Sequence, residues 1–286
     1  MNQLYINAQG GMAGDMFAAA LISAGADEAL MKHAMWLAAS KLGKAEIQTT
    51  QTTDGATRMQ IHVHHNESHL GAKQALFLLN TIFEELELDE YYRLFGRLTL
   101  DILIQAELKA HSEHSFESDH LNLSHHSHDH DHDRSHNHHQ NHDHQHDHSH
   151  HTHPHDHSHI EAWLHEAQDI LIDVVGAAYG LQLLNAPTEA TLLTPVSLGG
   201  GTITFSHGTM PVPAPATTNI LQKYWIPAQL GPLETELCTP TGSAILAALK
   251  ATQVSVLPNG SKLAEGTARG GKDLDIPPLK IILINI

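Results

Sequence analysis

The chain has 286 residues, 41% of them hydrophobic, enough to bury the core of one large domain or two small ones. A formal charge of −17 with histidine neutral argues against nucleic acid and anionic membranes as partners and favours cations. One cysteine, Cys238, excludes an internal disulfide, and no basic leader or apolar run of about 18 residues is read in the chain, so the cytoplasm is the expected location.

In chain order, "LYIN" (4–7) predicts a short buried strand, followed by the glycine-rich "AQGGMAGD" and a helix closed by Gly25. Asp54-Gly55 between β-prone runs signals a hairpin over 45–65. Helical spacing then runs through 70–86 (Leu76, Leu79, Phe83, Leu86) and 90–111 (Leu94, Leu98, Ile102, Gln105, Leu108). Between His125 and His159, 18 of 35 residues are histidine, interleaved with Asp, Ser and Asn; such a run builds no core and reads as disordered without metal. Order resumes with a strong helix over 160–184. After it come strands at 189–198 and in "TITFSHG", an extended-then-helical "PVPAPATTNILQ", and a helix over 239–250 with Thr239 as cap and Pro240 at its first position. The tail "LKIILINI" reads as a strand buried on both faces. Helices and strands without regular alternation predict an α+β fold, a mixed sheet with packed helices. Three parts are expected: 1–111, a histidine-rich tract at 112–159, and 160–286.

Imidazole suits zinc, copper, nickel and iron(II), so the tract predicts loose capture of several divalent ions. Its candidate ligands are His128, His130, His132, His136, His138, His142, His144, His146, His148 and His150. Such a run is a reservoir rather than an active centre, which needs ligands fixed by rigid elements. On a helix starting at Ile160, Glu161, His165, Asp169 and Asp173 form one stripe at four-residue steps, and His165 with Asp169 could share an ion. Asp173 is the only charged residue from Ile170 to Leu181, either at a solvent edge or retained for a purpose. A weaker pair of the same spacing is Glu107 and His111. The helix start at Gly10, Gly11 and Gly14 could hold a phosphate, although it is neither a P-loop nor a dinucleotide fingerprint; Asp15 either caps the helix or binds a cation. Thr239, Thr241 and Gly242 make a second such start, and His207 before the alternating prolines is a ligand or general-base candidate.

Taken together, "LYINAQGGMAGDMFAAAL", "QAELKAH", "HEAQDILIDVVGAA", "VSLGGGTITFSHGTMPVPAPAT" and "ELCTPTGSAIL" resemble the LarC family of nickel insertion proteins, from residue 4 to the end outside the tract. The resemblance implies insertion of nickel into a pyridinium bisthiocarboxylate mononucleotide, a metallochelatase reaction of the lyase class that gives the nickel-pincer cofactor of lactate racemase. It also implies CTP with manganese or magnesium, and lactate racemase as recipient. On that reading Asp173, His207 and Asp15 are catalytic candidates, and His165 and Asp169 bind metal. The substrate's phosphate gives the two helix starts a role. Longer family members carry a further C-terminal domain, so a separate partner chain is expected to supply it. A storage protein or metallochaperone for nickel, or a family member kept as a metal buffer, is the alternative; the tract suits all of these readings.

Overall fold

A computed structural model describes residues 1–64, 69–122, 163–165, 167–205 and 208–286. The first half contains β1 (Asn2–Asn7), α1 (Gly14–Ser23), α2 (Glu28–Ser40), β2 (Ala45–Gln51), β3 (Thr57–Val63), β4 (His69–Gly71), α3 (Ala72–Glu85) and α4 (Glu90–Asn122). Beyond the histidine-rich run come β5 (Trp163–His165), α5 (Ala167–Leu183), β6 (Ala190–Leu192), β7 (Val196–Ser197), β8 (Thr202–Phe205), β9 (Gly208–Pro211) and α6 (Pro215–Lys223). The chain finishes with β10 (Ala228–Gln229), α7 (Pro240–Ala248), β11 (Thr252–Gln253), β12 (Ser261–Arg269) and β13 (Leu279–Asn285).

The fold is α+β, as expected, around a seven-stranded mixed sheet ordered β11-β6-β1-β13-β12-β3-β2. Strand β1 lies antiparallel to β13 and parallel to β6, so the parts before and after the histidine-rich run share one sheet. Alternation along β1 explains its two faces. Leu4 and Ile6 join the main core with α1, α5 and the other helices, while Tyr5 packs on the opposite face with Ile282 and Ile284. Phe17, Leu21, Met31, Met35, Leu171 and Val174 fill the interior between sheet and helices. Burying a side chain of this size stabilises by roughly 1.5–3 kcal/mol.

Local signals account for many boundaries. Gly25 follows α1 at φ +111°, and Gly55 turns the β2–β3 hairpin at φ +81°; both conformations favour glycine. Thr239 caps α7 by accepting from the Gly242 N–H at 3.1 Å, with Pro240 in the first turn. The terminal strand β13 is buried along Ile281–Ile284, as its unbroken apolar run predicts.

Four expectations need correction. The helix expected from Ile160 begins at Ala167, and His165 belongs to β5, opposite His69 of β4. Pairing with a distant strand overrides the helical spacing of that stretch. The single strand expected over 189–198 is divided at Thr194-Pro195 into β6 and β7, which join different sheets. The first half of helix α4 turns a different face to the core than its apolar series suggests. Ile102 is buried and Leu108 packs on the core, as the series predicts, but Leu94 and Leu98 are 57% and 40% exposed and Phe95, Leu103 and Ala106 are buried instead. Finally, α2 and β12 add elements that the pattern reading leaves as connections.

Candidate functional site: a cleft at two helix starts

The loop that leaves β1 is stitched to the segment entering α7. Met12 donates to the Leu237 carbonyl at 2.9 Å, and Thr239 donates to the Met12 carbonyl at 3.0 Å. These contacts require near-touching backbones. A Cβ on Gly11 would lie 2.0 Å from the Leu237 oxygen, and one on Gly242 would lie 2.1 Å from the Met12 oxygen. Gly10 abuts the Pro277 carbonyl in the same way, at 2.1 Å. The two helix starts singled out in the sequence are therefore one structural unit. Thr241 is buried in the first turn of α7.

Helix α5 crosses the start of α1, and its Asp173 occupies the space a side chain at residue 14 would need. A Cβ there would stand 2.3 Å from Asp173 Oδ2. Burial, then the charges of Asp15 and Asp169, pushes the Asp173 carboxyl well above the ordinary carboxylate range. Burial also raises Asp15, against the pull of its own backbone N–H and that of Met16, which donates to Asp15 Oδ1 at 2.7 Å. Two half-buried carboxyls with like charges nearby favour holding a proton, or a cation in its place. Asp169, one turn before Asp173, is exposed.

Beside them lies a cleft of about 290 Å³. Its walls include Gly10, Asp15, Glu236 and Thr239, Arg269 at the end of β12, and residues 270–272 of the loop that follows. Arg269 and Lys272 are residues that the sequence reading passes over; their signal is two glycines set between two cations in "ARGGKD". Cys238, fully buried beside the cleft wall, has its thiol pushed up by burial and by Glu236, so it is held neutral rather than as a thiolate ligand.

Among the predicted residues, Gly10, Gly11, Gly14, Asp15, Thr239, Thr241, Gly242 and Asp173 gather at this unit. The four-residue stripe does not form, because His165 precedes the helix; Asp169 and Asp173 alone share α5. Glu107 and His111 both fall on α4. His207 and the ten histidines from His128 to His150 lie outside the described residues. Among the described residues no three His, Cys, Asp or Glu side chains are grouped to hold a metal ion.

The family model described as nickel insertion protein matches residues 4–122 and 148–284. The chain belongs to this family. Provisionally named nickel insertion proteins are similar to about two fifths of this chain. The relative from Methanosphaera stadtmanae is 41% identical over 108 residues, covering 38% of this chain and 26% of the relative. That from Methanosarcina acetivorans is 43% identical over 109 residues (38% and 27%), and that from Gloeobacter violaceus 40% over 111 residues (39% and 26%). The aligned segment thus spans about a quarter of the length of these relatives. No solved structure matches the chain. Family membership ties the chain to nickel, and among the described residues no helix is long and apolar enough to cross a membrane.

Proposed function

We propose that the protein inserts nickel into a pyridinium bisthiocarboxylic acid mononucleotide, forming the nickel-pincer cofactor of lactate racemase in the cytoplasm. The observation that carries this reading is the convergence of the glycine loop, the Thr239–Gly242 helix start and the half-buried Asp15 and Asp173, with Gly10, Asp15 and Thr239 lining one cleft. Storage of a metal needs no such pocket. Gly10 and Thr239 line the wall against which the mononucleotide rests, and Gly11, Gly14, Thr241 and Gly242 hold the two helix starts behind that wall.

Insertion joins nickel to two sulfurs and to a ring carbon, and the carbon gives up its proton as the nickel–carbon bond forms. A carboxylate whose protonated form is favoured by burial is a stronger base than one in water. Asp173 and Asp15, with His207, are assigned to that proton. Asp169 and His165 pass the ion inward, and the histidines from His128 to His150 collect it. The cleft is small for a nucleoside triphosphate with its divalent ion, near the lower end of the ~300–1,000 Å³ of ligand pockets. CTP with manganese or magnesium is therefore assigned to a separate C-terminal family chain, and no step here runs through it.

A second reading is nickel storage or delivery without insertion, for which the density of histidine between His125 and His159 would suffice. The test is anaerobic incubation of the chain with the bisthiocarboxylate precursor, nickel and CTP, with and without the C-terminal partner, scored by activation of apo lactate racemase. Activation supports insertion; nickel binding with no activation in either mixture supports storage. Asp173→Asn is expected to lower activation about 100-fold, the low end for loss of a general base, with bulk nickel binding unchanged. Equal loss of both would remove the separate transfer site.

A further inference from the structure

The central sheet ends differently on its two sides. At one edge β11 is two residues long; at the other β2 is seven, paired with β3 in unbroken register from Ala45 to Gln51. Among the described residues no strand pairs with the outer edge of β2. Edge strands of proteins that stay single are blunted by lysine, proline, a bulge or brevity. Strand β2 has none of these devices. Its one charge is Glu46, and that carboxylate is turned back toward β3, where His64 Nε2 lies 3.2 Å away.

The hairpin fixes which backbone groups are open. Thr52 donates to the Ala56 carbonyl at 2.9 Å and His64 to the Lys44 carbonyl at 2.8 Å, so the even-numbered residues from 44 to 52 bond to β3. The N–H and C=O groups of Ala45, Ile47, Thr49 and Gln51 therefore point outward. A second copy meeting them antiparallel about a twofold axis must set odd residues against odd, and only an axis through Gln48 engages the whole strand. That register opposes Ile47 to Thr49, Glu46 to Thr50 and Gln48 to itself, so no like charges face each other. It also sets the exposed Lys44 against Thr52 of the other copy, whose hydroxyl lies 2.5 Å from Asp54 Oδ1. Arg269 holds the other oxygen, Oδ2, at 2.7 Å, which leaves Oδ1 for the incoming ammonium. The axis makes this cation–carboxylate contact twice, on a chain whose net charge of −17 otherwise repels its own copies.

We infer that β2 is a dimer interface: two copies pair edge to edge about Gln48 and continue the sheet from one protein into the next. Helix α2, tied to β2 by the Thr49–Glu28 hydrogen bond, exposes Leu30 and Trp36 (45% and 51%). The axis keeps both α2 helices on one face of the joined sheet. Strand pairing alone buries less than the ~1,200 Å² of a stable interface, and these side chains supply the apolar remainder.

The test is sedimentation equilibrium of the full chain in EDTA, so that histidine-bound metal does not join copies. A dimer is expected, with a dissociation constant on the order of micromolar or tighter. Thr49→Pro removes an outward N–H and leaves the β3 ladder whole; it is expected to weaken the dimer about 100-fold, while Thr49→Val stays dimeric. Circular dichroism confirms that both variants are folded. In the proposed register the two Gln48 Cα atoms stand ~4.5 Å apart, within disulfide reach, and the natural cysteine, Cys238, is buried. Oxidised Gln48→Cys is therefore expected to form a covalent dimer, and Thr50→Cys, which faces Glu46 of the other copy, is not. A chain that stays monomeric about 100-fold above the expected constant overturns the interface. So does a dimer indifferent to Thr49→Pro, or one cross-linked through Thr50→Cys and not through Gln48→Cys.

Discussion

The starts of α1 and α7, "GGMAGD" and "CTPTGS", each carry a glycine and lie against one another, yet they are finished differently. At α7 the turn is closed from within: Thr239 accepts from Gly242, and Ser243 Oγ donates to the Pro240 carbonyl at 2.8 Å. At α1 the cap position is Ala13, with no side-chain cap, and the first helical residue is a glycine on which Asp173 rests. One start is a joint in the scaffold that frames the cleft; the other is a seat for buried charge. A glycine at a helix start thus carries no single meaning. What fills the space it leaves decides, and that neighbour comes from far along the chain.

The contrast can be strained at either side. Gly242→Ala drives a Cβ into the Met12 carbonyl, which belongs to a backbone hydrogen-bonded to Thr239 and cannot withdraw. A loss of about 3 kcal/mol or more is expected in urea denaturation, the upper range for overpacking. Gly14→Ala meets the Asp173 side chain instead, so a shift of α5 relieves part of the clash and the loss is expected nearer 2 kcal/mol. It should also lower racemase activation per folded molecule, since it dislodges the carboxyl; unchanged specific activity would detach Asp173 from the chemistry. Thr239→Ala removes only the α7 cap and is expected to cost about 1 kcal/mol in the same assay.

The smallest effect is one of sign. Burial holds the folded-state Asp173 and Asp15 above their unfolded values. The stability linked to them is full below the unfolded value, about pH 4, and is lost as pH rises through the raised folded values. Asp173→Asn should therefore raise the melting temperature of the metal-free protein at neutral pH and flatten its fall between acid and neutral. A variant less stable than the unaltered protein at neutral pH would mean that the carboxylate is compensated there.

Much of the scaffold was legible in the residues. Gly25, Asp54-Gly55 and Thr239-Pro240 act through local backbone preference, and each marks the boundary it predicts. The short strands and the phase of α4 were not legible. "WLH" fits a helix by spacing and becomes β5 only because "HLG" at 69–71 pairs with it. Leu94 and Leu98 satisfy helical periodicity but face outward, since the side a helix buries depends on what packs across it. β12 has little β-branched character; Gly266 lets α1 lie on it so closely that a Cβ would be 2.1 Å from the Ala20 carbonyl. Asp173 stood out in the sequence because it interrupts an apolar run, and Asp15 because it follows a glycine-rich helix start; Glu236 did not stand out. Nor did Lys272, because a lysine in a polar loop is ordinary until the cleft beside it is known.

The position of β1 bears on how the polypeptide is made. It is synthesised before both of its neighbours, β6 and β13, which lie beyond the histidine-rich run. A nascent chain paused within that run exposes both edges of β1, and only afterwards can the central sheet close around it. Because loop-closure entropy grows slowly, by about 0.6 kcal/mol per doubling of length, the intervening run is free to lengthen or shorten over generations at little cost to the sheet.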